Sequence, residues 1–189
     1  MAASEGGGEG IETMSGTTLD AIHDGHRARR EGRSEDARRF FMDAAQRAGD
    51  ESLRVDALRG WANSESDLGN LDESAERYAE AIALLRGLDD PLRLAHTVRH
   101  LGDVTRHQER NEVSVACYNE AIAIYRANEA TVPLDLGNAL RGYGLLREEL
   151  GDRAAARLIW EEVLKIYTEV GVQAGIDEAT KRVAKLKES

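Results

Sequence analysis

A triplet of small, aromatic and small residues, spaced by four and then three positions, is written four times along this chain. Ala37, Phe41 and Ala44 return as Ser74, Tyr78 and Ala81, then as Ser114, Tyr118 and Ala121, then as Ala156, Trp160 and Val163. The copies stand 37, 40 and 42 residues apart. Steps of four and three put the side chains of one copy on one helical face. Upstream of each triplet come a small residue and a turn position: Gly25 and Gly32, Ala62 and Gly69, Gly102 and Glu109, Gly144 and Gly151. A unit of this length with a turn inside it is a helical hairpin. Stripes such as Ala79, Ile82 and Leu85, or Ala121, Ile124 and Tyr125, leave each hairpin with an apolar face that only a neighbouring hairpin can cover. Such self-similarity therefore predicts a stack of hairpins, whose class of function is binding.

Composition agrees with an all-α reading. Of 189 residues 41% are hydrophobic and 32% charged, with two prolines and 5% aromatics, which suits helices and lacks the β-branched runs of a sheet. Helices are expected near 18–31, 35–48, 52–67, 72–86, 91–107, 112–127, 133–149, 153–169 and 174–187. Ser34, Asp50, Asn70, Asp90, Asn111 and Asp152 stand where side-chain oxygens can cap them, and Pro91 and Pro133 stand near first-turn positions. Residues 1–16, rich in Gly, Ser and Glu, read as a disordered tail. Four repeats then fill 17–173, at about 18–50, 51–90, 91–131 and 132–173. Residues 174–189 form a capping helix with Ile176, Val183 and Leu186 inward and Asp177, Lys181, Lys185 and Lys187 elsewhere.

With these residues in view, the chain resembles the tetratricopeptide repeat (TPR) family over 18 to about 170. Leu58, Trp61, Ala62, Gly69, Ser74, Tyr78 and Ala81 follow that family's pattern in the second copy. Val98, Leu101, Gly102, Ser114, Tyr118 and Ala121 do so in the third, and Leu140, Tyr143, Gly144, Gly151, Ala156, Trp160 and Val163 in the fourth. The chain departs from it in having longer repeats, no closing proline, and Asp24 where a large apolar residue is usual. Long units are similar to those of kinesin light chains and of sensor regions in bacterial regulators. The resemblance implies a right-handed solenoid of four hairpins plus a capping helix, and a concave groove lined by the first helix of each pair that binds proteins or peptides.

On that alignment Arg59, Arg99 and Arg141 take one groove position in three successive copies, with Ile22 in the first, and Asn63 lies one turn after Arg59. Forked guanidinium donors suit carboxylates, so a column of them fits an acidic segment. The plainer reading pairs these arginines with Asp56, Asp103 or Glu148. Arg59 and Asn63 also match the first pair of the family's carboxylate clamp, while His100, Asn138 and Gly142 replace the remaining three residues of that clamp. All five histidines, His23, His26, His96, His100 and His107, fall at groove positions. His96 and His100, one turn apart, can approach a metal together with Asp103, although no third imidazole is in reach and no metal or other cofactor is expected. Five imidazoles in one groove would also predict anion affinity rising from pH 7.5 to 6.

Other functions find little in the residues. A net charge of −10 opposes nucleic acid. No run reaches the length of a membrane span, and no leader is expected. Phosphate loops, nucleophile elbows and HExxH are absent, so no enzyme is expected. The single Cys117, beside Tyr118, reads as a buried thiol in a reducing cytoplasm. The sequence thus points to a cytoplasmic TPR-like adaptor for another protein or peptide, with Arg59, Asn63, His96, Arg99, His100, Asp103 and Arg141 as ligand-binding candidates. A homodimerising structural module built on exposed hairpin edges, and a histidine-dependent metal or pH sensor, are the alternatives.

Overall fold

A computed structural model describes residues 16–188. Its nine helices among the described residues are α1 (Thr18–Arg30), α2 (Ser34–Arg47), α3 (Glu51–Asp67), α4 (Leu71–Leu85), α5 (Pro91–His107), α6 (Asn111–Ala127), α7 (Pro133–Glu149), α8 (Arg153–Val170) and α9 (Gln173–Lys187). Each lies within a residue or so of its expected span, and no strand occurs among the described residues. The expected tail lies outside the described residues except for Gly16.

Each helix packs on the next, and α1–α2, α3–α4, α5–α6 and α7–α8 form antiparallel hairpins. Backbones of alternate helices also approach one another in the odd-numbered series, α1 with α3 and α5 with α7, but not in the even-numbered series. The odd-numbered layer, the inner layer, is therefore the tighter one.

The four repeated turns share one mechanism. Gly32, Gly69 and Gly151 take left-handed backbone angles, φ 74°, 82° and 74°, after α1, α3 and α7. The residue after each donates its N–H to the carbonyl five positions back, as in Arg33 to Ala28 and Asp152 to Arg147, which satisfies carbonyls the helix end leaves open. The turn after α5 does the same with Glu109, at φ 58°. A side chain in that region costs about 1–2 kcal/mol, so Glu109→Gly is expected to raise stability by about 1 kcal/mol in urea unfolding. An unchanged midpoint would mean the turn carries no strain.

Capping follows the expectation in part. Asp50, Asp90 and Asp152 accept from the backbone N–H of Leu53, Arg93 and Ala155. Asn70 stands at its cap but turns its amide to Glu65, at 2.8 Å, instead. Ser34 and Asn111 are first helical residues, preceded by Arg33 and Arg110 without a side-chain cap. An unanticipated cap opens α1: Thr17 and Asp20 bond each other's backbone N–H reciprocally. Pro91 and Pro133 open α5 and α7, where a missing N–H costs nothing.

All twelve signature residues are buried. Where the first small residue is serine, its hydroxyl donates to the partner helix: Ser74 to the Ala62 carbonyl at 2.8 Å, Ser114 to the Gly102 carbonyl at 2.9 Å. Asp24, at the unusual apolar position, instead pairs at the surface with Arg27, at 2.6 Å. The first hairpin forms nonetheless, because Phe41 is enclosed between α1 and α3. On α9, Val183 and Leu186 are buried and Ile176 half-buried, while Asp177, Lys181, Lys185 and Lys187 face solvent, so the last hairpin ends in a wet surface. No helix among the described residues is long and apolar enough to cross a membrane.

Candidate functional site on the inner helical layer

Arg59, Asn63, His96, Arg99, His100 and Asp103 come together between α3 and α5. Their hydrogen bonds decide which of them is free to meet a ligand. The Arg59 guanidinium donates to His96 Nδ1 at 2.8 Å, and its nearest carboxylate is Asp56, 3.7 Å away. That carboxylate is already held by Arg93, whose fork reaches Asp56 at 2.7 Å together with the hydroxyl and carbonyl of Ser52. Two guanidinium groups thus share one carboxylate. The Arg59 side chain is only 22% exposed, and burial pulls its pKa below the usual arginine value, ahead of the opposing pull of Asp56. Of the three aligned arginines it is the one with no carboxylate closer than 3.7 Å.

Asn63 does not project freely. Its amide donates back to the Arg59 carbonyl at 2.8 Å and accepts from the Tyr78 hydroxyl at 3.0 Å, which fixes both. Arg99 is neutralised on its own helix by Asp103 at 2.9 Å, and Asp103 also accepts from Tyr118 at 2.6 Å. Arg99 further donates to His100 Nε2 at 2.7 Å. Arg141, aligned with Arg59 and Arg99 in sequence, is gripped by both oxygens of Glu178 on α9, at 2.6 and 3.1 Å. The plainer pairing thus holds on the same helix for Arg99 but not for Arg141: Glu148 accepts instead from Trp160 Nε1 at 2.7 Å and from Arg182.

Since a guanidinium only donates, His96 presents the Nδ1 lone pair and His100 the Nε2 lone pair, and both imidazoles are neutral. Burial first, then the neighbouring guanidinium groups, push His96 down to about 4 and His100 further still. The expectation that imidazoles on this face gain charge between pH 7.5 and 6 therefore fails for these two. His26, beside Phe41, is also lowered, mainly by burial. Metal binding by His96, His100 and Asp103 is opposed by the same bonds, which occupy the lone pairs a cation would need. Among the described residues no group of three or more His, Cys, Asp or Glu is placed to hold a metal ion. Cys117 is buried, and burial pushes its thiol up to about 11.

Sequence reasoning missed the ties between adjacent repeats. Arg29 pairs with Asp67 at 2.5 Å, Arg93 with Asp56, Arg106 with Glu149 at 2.6 Å, and Arg141 with Glu178. The partners stand 37–43 residues apart. The signal was available, since opposite charges one repeat apart face each other across neighbouring helices. A depression of about 390 Å³ lined by His26, Arg29, Arg30 and Asp67 marks the N-terminal end of the same face.

The tetratricopeptide repeat family model matches residues 53–127. Among solved structures, BtubC from P. vanneervenii is similar at 14% identity and a TM-score of 0.66, over 91% of this chain and 90% of that one. Aspartyl phosphate phosphatase F from Bacillus subtilis is similar at 13% identity and 0.76, over 89% of this chain and 45% of that one. The Signal Transduction ATPase with Numerous Domains protein of Pyrococcus horikoshii, which has a tetratricopeptide repeat sensor, gives 14% and 0.79, over 88% of this chain and 26% of that one. At these identities the likeness is one of fold. No curated protein matches the chain.

Proposed function

Starting from a chain that is a tetratricopeptide-repeat protein, we propose that it is a protein- or peptide-binding adaptor whose inner face is a groove for acidic segments of a partner. The observation that carries this reading is Arg59, a largely buried guanidinium turned to a neutral imidazole, in a chain whose net charge is −10. A cation in that position gains from a carboxylate that arrives with a ligand, because a charge-assisted, forked hydrogen bond in a partly desolvated site is worth more than the same bond in water. Arg99 and Asn63 border the same place. Arg141 serves the groove wall through Glu178. No nucleic acid, membrane or cofactor is part of this reading, and its setting is the cytoplasm.

Replacing Arg59 and Arg99 together by Gln is expected to weaken binding of a captured acidic partner at least about tenfold, some 1.4 kcal/mol, as measured by titration calorimetry after pull-down from the native host. Raising salt from 50 to 500 mM should weaken it further. Arg141→Gln alone should leave affinity nearly unchanged. Equal affinity of the double variant and the parent would remove the ligand from this face.

A further inference from the structure

Each signature aromatic is clasped between two inner-layer helices, and the clasps are not alike. Phe41 lies between Gly25 of α1 and Gly60 of α3, and Tyr118 between Gly102 of α5 and Gly142 of α7. A Cβ at Gly142 would stand 2.7 Å from the Tyr118 ring, and one at Gly60 would fall inside the Phe41 ring's van der Waals envelope. Only glycine lets a helix settle that closely. These are the two joints at which inner-layer backbones meet.

Counting along the repeats, Gly60 and Gly142 follow Arg59 and Arg141, and the residue that follows Arg99 is His100. Its imidazole stacks on Tyr78 with ring centroids 5.8 Å apart and planes 3° from parallel. On the other side of Tyr78 stands Ala62, in the position held by Gly25 and Gly102. Both jaws of this clasp are thus larger than at its neighbours, and α3 and α5 make no comparable backbone approach. α7 and α9 likewise make no such approach, with Gly144 as one jaw on Trp160 and Ala179 following Glu178. Arg99 donating to Nε2 and Asp103 3.7 Å from Nδ1 keep the imidazole upright. The gap is bridged by side chains, Arg59 to His96 at 2.8 Å and His96 edge-on to His100 with centroids 4.7 Å apart.

The geometry points to the α3–α5 joint as the place where an acidic side chain of the partner enters the inner layer, with His100 as the positioning residue that holds the joint open. This rests on the groove reading above and deepens it. His100 touches no ligand in this scheme. It sets the width across which Arg59 and Arg99 act, a width the glycine joints on either side do not offer.

Two readouts test it. The first is the distance between nitroxide labels at Ser66→Cys on α3 and His107→Cys on α5, in a Cys117→Ala background, measured by pulsed electron paramagnetic resonance. His100→Gly should shorten that distance by about 1–2 Å as the helices settle toward the 8–10 Å axial spacing of direct packing, whereas His100→Gln, which keeps length and an acceptor, should not. The second is affinity for a decaglutamate peptide as probe, which should fall at least about fivefold, some 1 kcal/mol, in His100→Gly and be retained in His100→Gln. An unchanged distance in a folded His100→Gly protein overturns the spacer role. A shortened distance with unchanged decaglutamate affinity overturns the entry point. If the parent does not bind decaglutamate while the distance still shortens, the acidic-groove reading falls and the spacer stands. Should His100→Gly fail to fold, His100→Ala is read in its place, with a smaller shortening expected and an unchanged distance again decisive against the proposal.

Discussion

Replacing Trp160 by alanine is expected to lower the stability of this protein by about 3–5 kcal/mol in urea unfolding, the range for truncating a large buried aromatic. No surface of Trp160 is exposed. Its ring lies against Gly144, where an added Cβ would meet it at 3.1 Å, and the Arg182 guanidinium covers it at 5.5 Å from the ring centroid. Truncation opens a cavity at the joint between the last hairpin and α9, and it takes away the indole N–H that Glu148 accepts at 2.7 Å. Both effects have the same sign. The control is on the same helix: Leu158 is 61% exposed, and Leu158→Ala should change stability by no more than about 0.5 kcal/mol. A Trp160→Ala loss below about 1 kcal/mol would mean that the aromatic does not hold the joint.

Acidification gives the second large effect. His96 is held down to about 4 and His100 lower, by burial and by Arg59 and Arg99. Asp103, 3.7 Å from His100, and the neutral Tyr78 ring are the other groups facing this pair. In the unfolded chain both imidazoles return to about 6.5. Below that pH the unfolded state takes up protons that the folded state refuses, so stability is full above about 7 and falls as pH drops from 6.5 toward 4. Two such groups would give a slope approaching ~2.7 kcal/mol per pH unit. Both are partly open to solvent, so a loss of about 2 kcal/mol between pH 6.5 and 5 is the expected figure. The double variant His96→Gln, His100→Gln keeps acceptors for the two guanidinium groups and removes the titration. Its melting temperature should be flatter over that interval, and superimposable pH profiles for variant and parent would show that these imidazoles are not held neutral.

What could be read from the residue order is what depends on periodicity along a single helix pair. Ala37, Phe41, Ala44 and their equivalents recur at helical spacing, so their burial, the hairpin unit and the need to stack followed directly. Helix limits followed from local punctuation, Pro91 and Pro133 among it, because capping is decided within a few residues. Ser34, Asn70 and Asn111 show the limit of that reasoning, since whether an oxygen reaches the backbone depends on one side-chain torsion and on competitors such as Glu65.

The candidate site was legible only as a set of residue types. That Arg59, Arg99 and Arg141 are equivalent is a statement of register, and the sequence determined it. Their inequivalence as charges came from partners on their own helix and on the next repeat. Glu178 closes on Arg141, Asp103 on Arg99, and Arg59 is left with His96 because Arg93 already holds Asp56. The charge state of the histidines was likewise decided in three dimensions, since an imidazole's pKa answers to burial and to cations on another helix, and neither is written in the spacing of His96 and His100. The sequence alone determined the repeat, its helices and the face each presents; the tertiary structure decided which of the three aligned arginines has only a shared carboxylate, because pairing depends on distances between helices whose approach is set by single residues, glycine at 60 and 142 and histidine at 100.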